Sequence, residues 1–289
     1  MRDLSRDAEL RHLSLNTITV RKRGDLIAIM EAAKRHGISC LSPWRDQVAA
    51  VGLDRAVKAV RAGGFRLSGY CRGGMFPADA AHRREERDDN CRAVDEAAAL
   101  GAPCLVLVVG GLPQFSRPGS AATKDIAGAR EQVVDAIAAL LDYADNAGVP
   151  LAIEPLHPMY AADRACVNTL RQALDICDRL DPDSARKLGV VVDVYHVWWD
   201  PEVFEQIARA GKRRIHAFHV SDWLVPTRDL FADRGMMGDG VIDIPRMRAA
   251  VEGEGCELPC EVEVISEAWW SRPMDEVLAT IVERHRSVV

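Results

Sequence analysis

The stretch VVDVYHVWWD, residues 191–200, starts as a core strand and ends as something else. A run of valines is the pattern of a strand buried on both faces. It stops on Asp193, His196 follows three positions later, and Trp198 and Trp199 come before the next acid. A carboxylate and an imidazole within reach of one another at the end of an apolar strand raise the question of what that end faces.

Working outward from this stretch, short apolar runs recur at residues 13–17, 38–42, 65–71, 103–110, 150–155, 187–193, 214–220 and 260–265. Between them lie amphipathic segments such as DLIAIMEAAKRHG, residues 25–37, with Leu26, Ile29, Met30 and Ala33 on one face and a glycine stop. Eight strands alternating with helices predict a parallel sheet, and eight is the number that closes a (β/α)8 TIM barrel. The competing open, doubly wound sheet usually carries a glycine-rich turn after its first strand, and LSLNTITVRKRG, residues 13–24, has none. The expectation is an α/β fold, one TIM barrel domain over residues 1–289. No linker, repeat or low-complexity stretch interrupts the pattern. One connection is irregular: Ser221 to Ile244 is long and rich in Gly, Asp and Arg, as functional loops often are.

Charge narrows the function classes. Against 43 acidic residues stand 37 basic ones, leaving a net charge of −6, and no basic excess advertises a nucleic-acid partner. The eight cysteines lie singly, with no C-x-x-C pair, as thiols do in a reducing compartment. Residues 1–12 carry both signs of charge and no apolar core, and no later run approaches the roughly 18 apolar residues of a membrane span. A cytoplasmic protein with neither membrane nor nucleic-acid partner is expected, and nothing here argues against a homo-oligomer.

In a barrel the active site lies at the C-terminal ends of the strands. Strand five ends on Glu154, strand six on Asp193 and strand seven on His219, while strand eight carries Glu263. Three carboxylates crowded at one apolar-walled mouth raise one another's pKa unless a cation sits among them. Two Glu, one Asp and one His form a mostly oxygen site for one divalent ion: Mn²⁺ first, with Mg²⁺, Co²⁺ or Zn²⁺ as alternatives. Taken singly, each acid reads more simply as a helix cap or half of a salt bridge; the set of four carries the metal reading. His216 lies below the mouth and reads as a barrel residue. Glu261 and Glu263 face the same way, because side chains alternate with a period of two, so spacing alone does not separate them. The tryptophan pairs at 198–199 and 269–270 read as wall residues, with stacking on a sugar ring as the alternative.

These motifs resemble those of the sugar phosphate isomerase/epimerase family of xylose-isomerase-like TIM barrels: IEP closing strand five, DVYH closing strand six, FHVSD closing strand seven, RGMMGDG in the long loop and VEVISEAWW on strand eight. The resemblance is strongest in the C-terminal half. It implies Glu154, Asp193, His219 and Glu263 as metal ligands, and it favours Glu263 over Glu261 because an aromatic pair stands six and seven residues beyond it. It also implies that His196 and Arg234 contact substrate oxygens. The substrate class implied is a keto sugar, sugar phosphate or keto-cyclitol, and the shared chemistry is proton transfer through an enediolate with Glu154 and Glu263 as bases. Isomerisation or epimerisation is the leading outcome, and dehydration or another β-elimination on the same site is the alternative. An abasic-site endonuclease resembles the chain at Asp-x-x-His, but strands two and three end in LSPW and YCRG without histidine, and the late loop has ADRG in place of Asp-x-His. A non-catalytic sugar-binding barrel is the remaining rival. Trp44, Arg45 and Arg72 follow strands two and three and could shape the pocket; His157 stands at the same rim, as a loop anchor or a ligand contact. The glycines of CRGG and GDG match no phosphate-loop spacing and read as turn residues.

Overall fold

The computed structural model describes residues 8–185 and 187–289, so the reading of the N-terminal residues falls largely outside the described residues. In chain order the strands are β1 (Leu13–Asn16), β2 (Cys40–Ser42), β3 (Arg66–Leu67), β4 (Tyr70–Gly74), β5 (Leu105–Val108), β6 (Leu151–Ile153), β7 (Leu188–Asp193), β8 (Ile215–Val220), β9 (Asp222–Trp223), β10 (Arg234–Gly235) and β11 (Cys260–Val262). Nine of them form one parallel sheet in the order β3-β2-β1-β11-β8-β7-β6-β5-β4. The two edges of this sheet, β3 and β4, are the halves of a single predicted strand. At Ser68 the backbone N–H still donates to Leu41 of the β2 side (3.0 Å), whereas at Tyr70 it donates to Cys104 of the β5 side (3.0 Å). The nine strands are therefore eight staves of a nearly closed TIM barrel.

Period-two alternation sorts each strand's side chains between the lumen and the helix layer. In β7, Val190 and Val192 join the large core between sheet and helices, while Val191 packs inside the barrel with Cys71, Cys104, Val106, Ala152 and Ala217. This is why the valine run has no polar face. The same parity that points Val191, Ala217 and Ala152 inward points Asp193, His219 and Glu154 inward one pleat higher. The helices bury the predicted faces: Leu26–Arg35 buries Leu26, Ile29, Met30, Ala32 and Ala33, and Asp25 caps it by accepting from the Ala28 N–H at 2.9 Å. Among the described residues no helix is long and apolar enough to cross a membrane.

The long connection after β8 has strand structure that periodicity did not reveal. β9 and β10 pair antiparallel, Trp223 opposite Arg234 and Asp222 opposite Gly235. Buried Asp222 accepts backbone N–H bonds from Gly238 (2.9 Å), Gly240 (2.8 Å) and Ile242 (3.0 Å), tying the loop down over the mouth. A Cβ on Gly240 would stand 2.2 Å from the Trp223 carbonyl oxygen, so this glycine serves the close approach of two backbones.

Candidate active site

Glu154, Asp193, His219 and Glu263 are all buried, and one donor atom from each lies within 4.8 Å of the others. Asp193 is both a cap and a member of this cluster. Its Oδ1 accepts the Tyr195 N–H at 2.8 Å and caps the turn Val194–Val197, leaving Oδ2 to face the cluster. That turn carries His196, buried as well. The strand of the opening stretch thus ends at the barrel mouth, and its cap presents the imidazole there.

Arg234, delivered by β10, reaches into the centre of the cluster. Its Nη1 donates to Asp193 Oδ2 (2.9 Å) and Glu263 Oε2 (3.0 Å), its Nη2 lies 2.9 Å from His196 Nε2, and its guanidinium covers the Tyr195 ring at 4.4 Å. His196 Nδ1 faces the His157 backbone N–H at 3.2 Å and its Nε2 faces the donor-only guanidinium of Arg234 at 2.9 Å, so a neutral ring accepts from one of the two at a time. Burial first, and then the Arg234 charge, push His196 well below its ordinary pKa, so the ring is neutral.

One guanidinium does not neutralise the carboxylates around it. Burial outweighs Arg234 at Asp193, whose pKa is pushed up to about 7. At Glu263 burial is itself outweighed, by Arg234 and then His219, and the group is held at about 2. Burial also raises Glu154, against the pull of His219. Glu154 Oε1 and His219 Nδ1 approach to 3.0 Å without hydrogen-bond alignment, and neither atom has a hydrogen-bond partner among the described residues. Buried donor atoms that converge within 4.8 Å of one another, three of the four from carboxylates, fit a divalent cation.

Glu261 sits one layer below. It accepts from Asn16 Nδ2 (2.7 Å) and Ser68 Oγ (2.7 Å), and its Oε1 lies 3.3 Å from His219 Nε2. Asn16, at the end of β1, also donates to Glu263 (3.1 Å) and accepts from the Trp44 indole (2.7 Å). Sequence reading passed over Asn16 and Ser68, since neither is charged and their glutamate partners lie more than 190 positions away. His157 is a loop anchor: its Nδ1 accepts the Met159 N–H at 3.2 Å and its ring packs on Trp223. Trp44, Arg45 and Arg72 line the cavity above the cluster, whereas Trp198, Trp199, Trp269 and Trp270 do not. The tryptophan pairs are wall residues, Trp199 bonded to the His196 carbonyl and Trp270 to that of Ile18. His216 bonds the Lys187 carbonyl at 3.0 Å, away from the cluster.

With fold and cluster in hand, similarity to known proteins can be placed. The model of the xylose isomerase-like TIM barrel matches residues 30–283. Protein SMc04130 from Sinorhizobium meliloti 1021 is 56% identical over 96% of this chain and 98% of its own, with a TM-score of 0.91. The IOLI protein, crystallised with a binding zinc atom, is 19% identical over 94% of this chain and 95% of its own, TM-score 0.77. D-Psicose 3-epimerase from Clostridium cellulolyticum H10, solved with D-tagatose, is 14% identical over 95% of this chain and 98% of its own, TM-score 0.71. At the last two identities the likeness is one of fold. No curated protein matches. Since the family match runs through nearly the whole barrel, the chain belongs to the xylose isomerase-like TIM barrel family.

Proposed function

We propose that this protein is a metal-dependent isomerase or epimerase that moves a proton beside the carbonyl of a keto sugar, sugar phosphate or keto-cyclitol. The observation that carries the reading is the convergence of Glu154, Asp193, His219 and Glu263, with Glu154 and Glu263 also lining a cavity of about 640 Å³, a volume suited to a small polar ligand. Glu154, Asp193, His219 and Glu263 would hold the ion, Mn²⁺ by the donor set or one of Mg²⁺, Co²⁺ and Zn²⁺. Such an ion supplies Lewis-acid stabilisation of the negative charge that develops on substrate oxygen. The sugar-bound epimerase and the zinc-bound protein on the same fold support this assignment.

The chain's own groups divide the remaining work. His196 hydrogen-bonds a substrate oxygen or hydroxyl through Nε2, and Arg234 donates to a substrate oxygen from its guanidinium beside it. Glu154 and Glu263 stand on staves separated by two others in the barrel. One takes the α-proton; the C–H electron pair becomes the new C=C bond, and the carbonyl π pair moves onto oxygen to give the enediolate. Return of a proton by the other glutamate, from the opposite face, inverts the carbon. Return by the same base to the neighbouring carbon, with the hydroxyl proton of the first carbon passing to the former carbonyl oxygen as the new C=O forms, isomerises the sugar. The test is α-proton exchange in D₂O, followed by NMR, with metal-loaded protein and a panel of keto sugars, their phosphates and inososes. Exchange with at least one of them supports the reading. Absence of exchange throughout, or three zinc ions per chain by elemental analysis, overturns it.

A further inference from the structure

The cavity has a second pole. Across from the carboxylate cluster its wall includes Arg45, Arg72, Arg117 and Arg164, with Asp89 among them. That one carboxylate is already shared: Arg45 lies 3.3 Å from it, Arg92 3.2 Å and Arg117 3.4 Å. Arg45 is further committed to Glu96 at 2.7 Å. Arg164 lies on the Phe231 ring at 4.2 Å and reaches Asp163 only at 4.0 Å, and the Nε of Arg117 is buried without a hydrogen-bond partner. Arg72 stands apart from all of these. It is half-buried, lines the cavity, and has no hydrogen bond or ion pair to any described residue.

The backbone explains how Arg72 comes to be there. In the β4–β5 pairing Cys71 stands opposite Val106 and Gly73 opposite Leu107, so Arg72 is the extra residue of a β-bulge. Bulges at barrel rims re-aim a side chain that regular pleating would send elsewhere. On one side the bulge joins the metal cluster, since Cys71 Sγ lies 3.8 Å from Asn16 Nδ2, the group that holds Glu261 and Glu263. On the other side it is pinned by Asn90, whose side chain bonds both the N–H and the carbonyl of Gly74 (2.6 and 3.0 Å). A Cβ on Gly74 would stand 2.0 Å from the Val108 carbonyl oxygen, so the close packing that fixes the bulge requires glycine. Burial, with the like charges of Arg164 and Arg45 adding to it, holds the Arg72 guanidinium below its ordinary pKa. With Asp89 already paired to three other arginines, Arg72 has no carboxylate of its own, and a ligand that supplies one gains a charge-assisted pair.

We propose that the substrate bears an anionic group, a carboxylate or a phosphate, at the end remote from its reacting carbonyl, and that Arg72 binds that group. A guanidinium fork matches the paired oxygens of either anion. The proposal rests on the reading of this cavity as the substrate site, and its test uses binding without turnover so that the two can fail separately.

Calorimetric titration of the metal-loaded protein would compare a linear polyol, the corresponding polyol phosphate and the corresponding aldonate. One of the two anionic ligands should bind about 10- to 100-fold more tightly than the neutral polyol, and which one does so identifies the anion. Arg72→Gln should abolish that preference and Arg72→Lys should retain part of it, since lysine keeps the charge and loses the fork. Circular dichroism would establish that both variants fold; if only Arg72→Lys does, the partial loss in that variant decides. Equal binding of neutral and anionic polyols, or a preference unchanged in Arg72→Gln and Arg72→Lys, overturns the proposal. Anion binding through Arg72 without α-proton exchange by any keto sugar would overturn the assigned reaction and leave the anion site standing. Exchange of neutral keto sugars with no preference for their acidic counterparts would do the reverse.

Discussion

The two halves of the barrel bury polar groups for different ends. In the C-terminal half, β6, β7, β8 and the strand end after β11 each bring one ionisable side chain to the same point, where Arg234 pairs with only two of the three carboxylates. In the N-terminal half much of the buried polar matter is satisfied locally: Asn90 with Glu86 and Gly74, and Ser14 with Ser68. Arg72 and the Nε of Arg117 are exceptions on that side. The contrast teaches that burial of a charged group is not by itself a sign of function; what separates the halves is whether partners within the chain complete the arrangement.

The sharpest way to break the comparison is to remove one member of the C-terminal set. Glu263→Gln should leave the chain folded, remove most of the affinity for a divalent ion, and lower α-proton exchange by about 10³-fold, within the range for loss of a positioned acid–base group. Calorimetric metal titration beside NMR exchange measures both. Full metal affinity in Glu263→Gln, together with its loss in Glu261→Gln, would move the site down one layer.

That ranking also marks how far the sequence could be read. The eight staves and the four strand-end donors were legible because each signal fits in a window of about ten residues: an apolar run, its period, and the residue that ends it. Other features depend on contacts that no window contains. Asn16 reaches Glu261 and Glu263 across the closure of the barrel, Asp222 holds a loop 16 to 20 positions away, and the split of the third stave between β3 and β4 follows from which neighbour accepts each N–H. Arg72 was visible as a cavity candidate, but its lack of a partner is a property of the folded chain. The roles of Trp198 and Trp269 were likewise decided by packing, since nothing in WWD or AWW tells the barrel wall from the cavity.

His196→Ala probes the boundary between holding the ion and holding the substrate. Its Nε2 is 3.6 Å from Asp193 Oδ2, close to the donor set but outside it. The variant should bind metal nearly as the parent does and exchange α-protons about 10²-fold more slowly. Metal affinity reduced as far as in Asp193→Ala would place His196 among the ligands.

Glu261→Gln tests the layer where the two halves meet, since its partners are Asn16 and Ser68 from one side and His219 from the other. Glutamine keeps one acceptor and loses the charge. The expected cost is about 2 kcal/mol of unfolding free energy, the scale of a hydrogen bond to an ionised group, read from urea denaturation at equal metal concentration. A variant as stable as the parent would mean that the carboxylate charge contributes nothing in this layer.

The smallest effect belongs to the N-terminal half, and it has a sign. Glu86 is buried, accepts from Asn90 Nδ2 at 2.9 Å, and is pushed up to about 7, with burial the leading cause and the Asn90 bond opposing it. An unfolded glutamate titrates near 4.3, so between that pH and about 7 the folded state binds more protons than the unfolded one. Stability from this group therefore falls as pH rises through that window, and the deficit is constant above it. Glu86→Gln cannot ionise, can still accept from Asn90, and should match the parent near pH 4 while exceeding it by about 1 kcal/mol near pH 8, a figure discounted for the solvent that reaches this helix edge. Urea denaturation of both proteins at the two pH values isolates the term, because the carboxylates of the metal cluster titrate equally in each. A difference between the two proteins that does not change with pH would show that Glu86 is already ionised in the fold, and that the N-terminal half, like the C-terminal one, holds a buried charge.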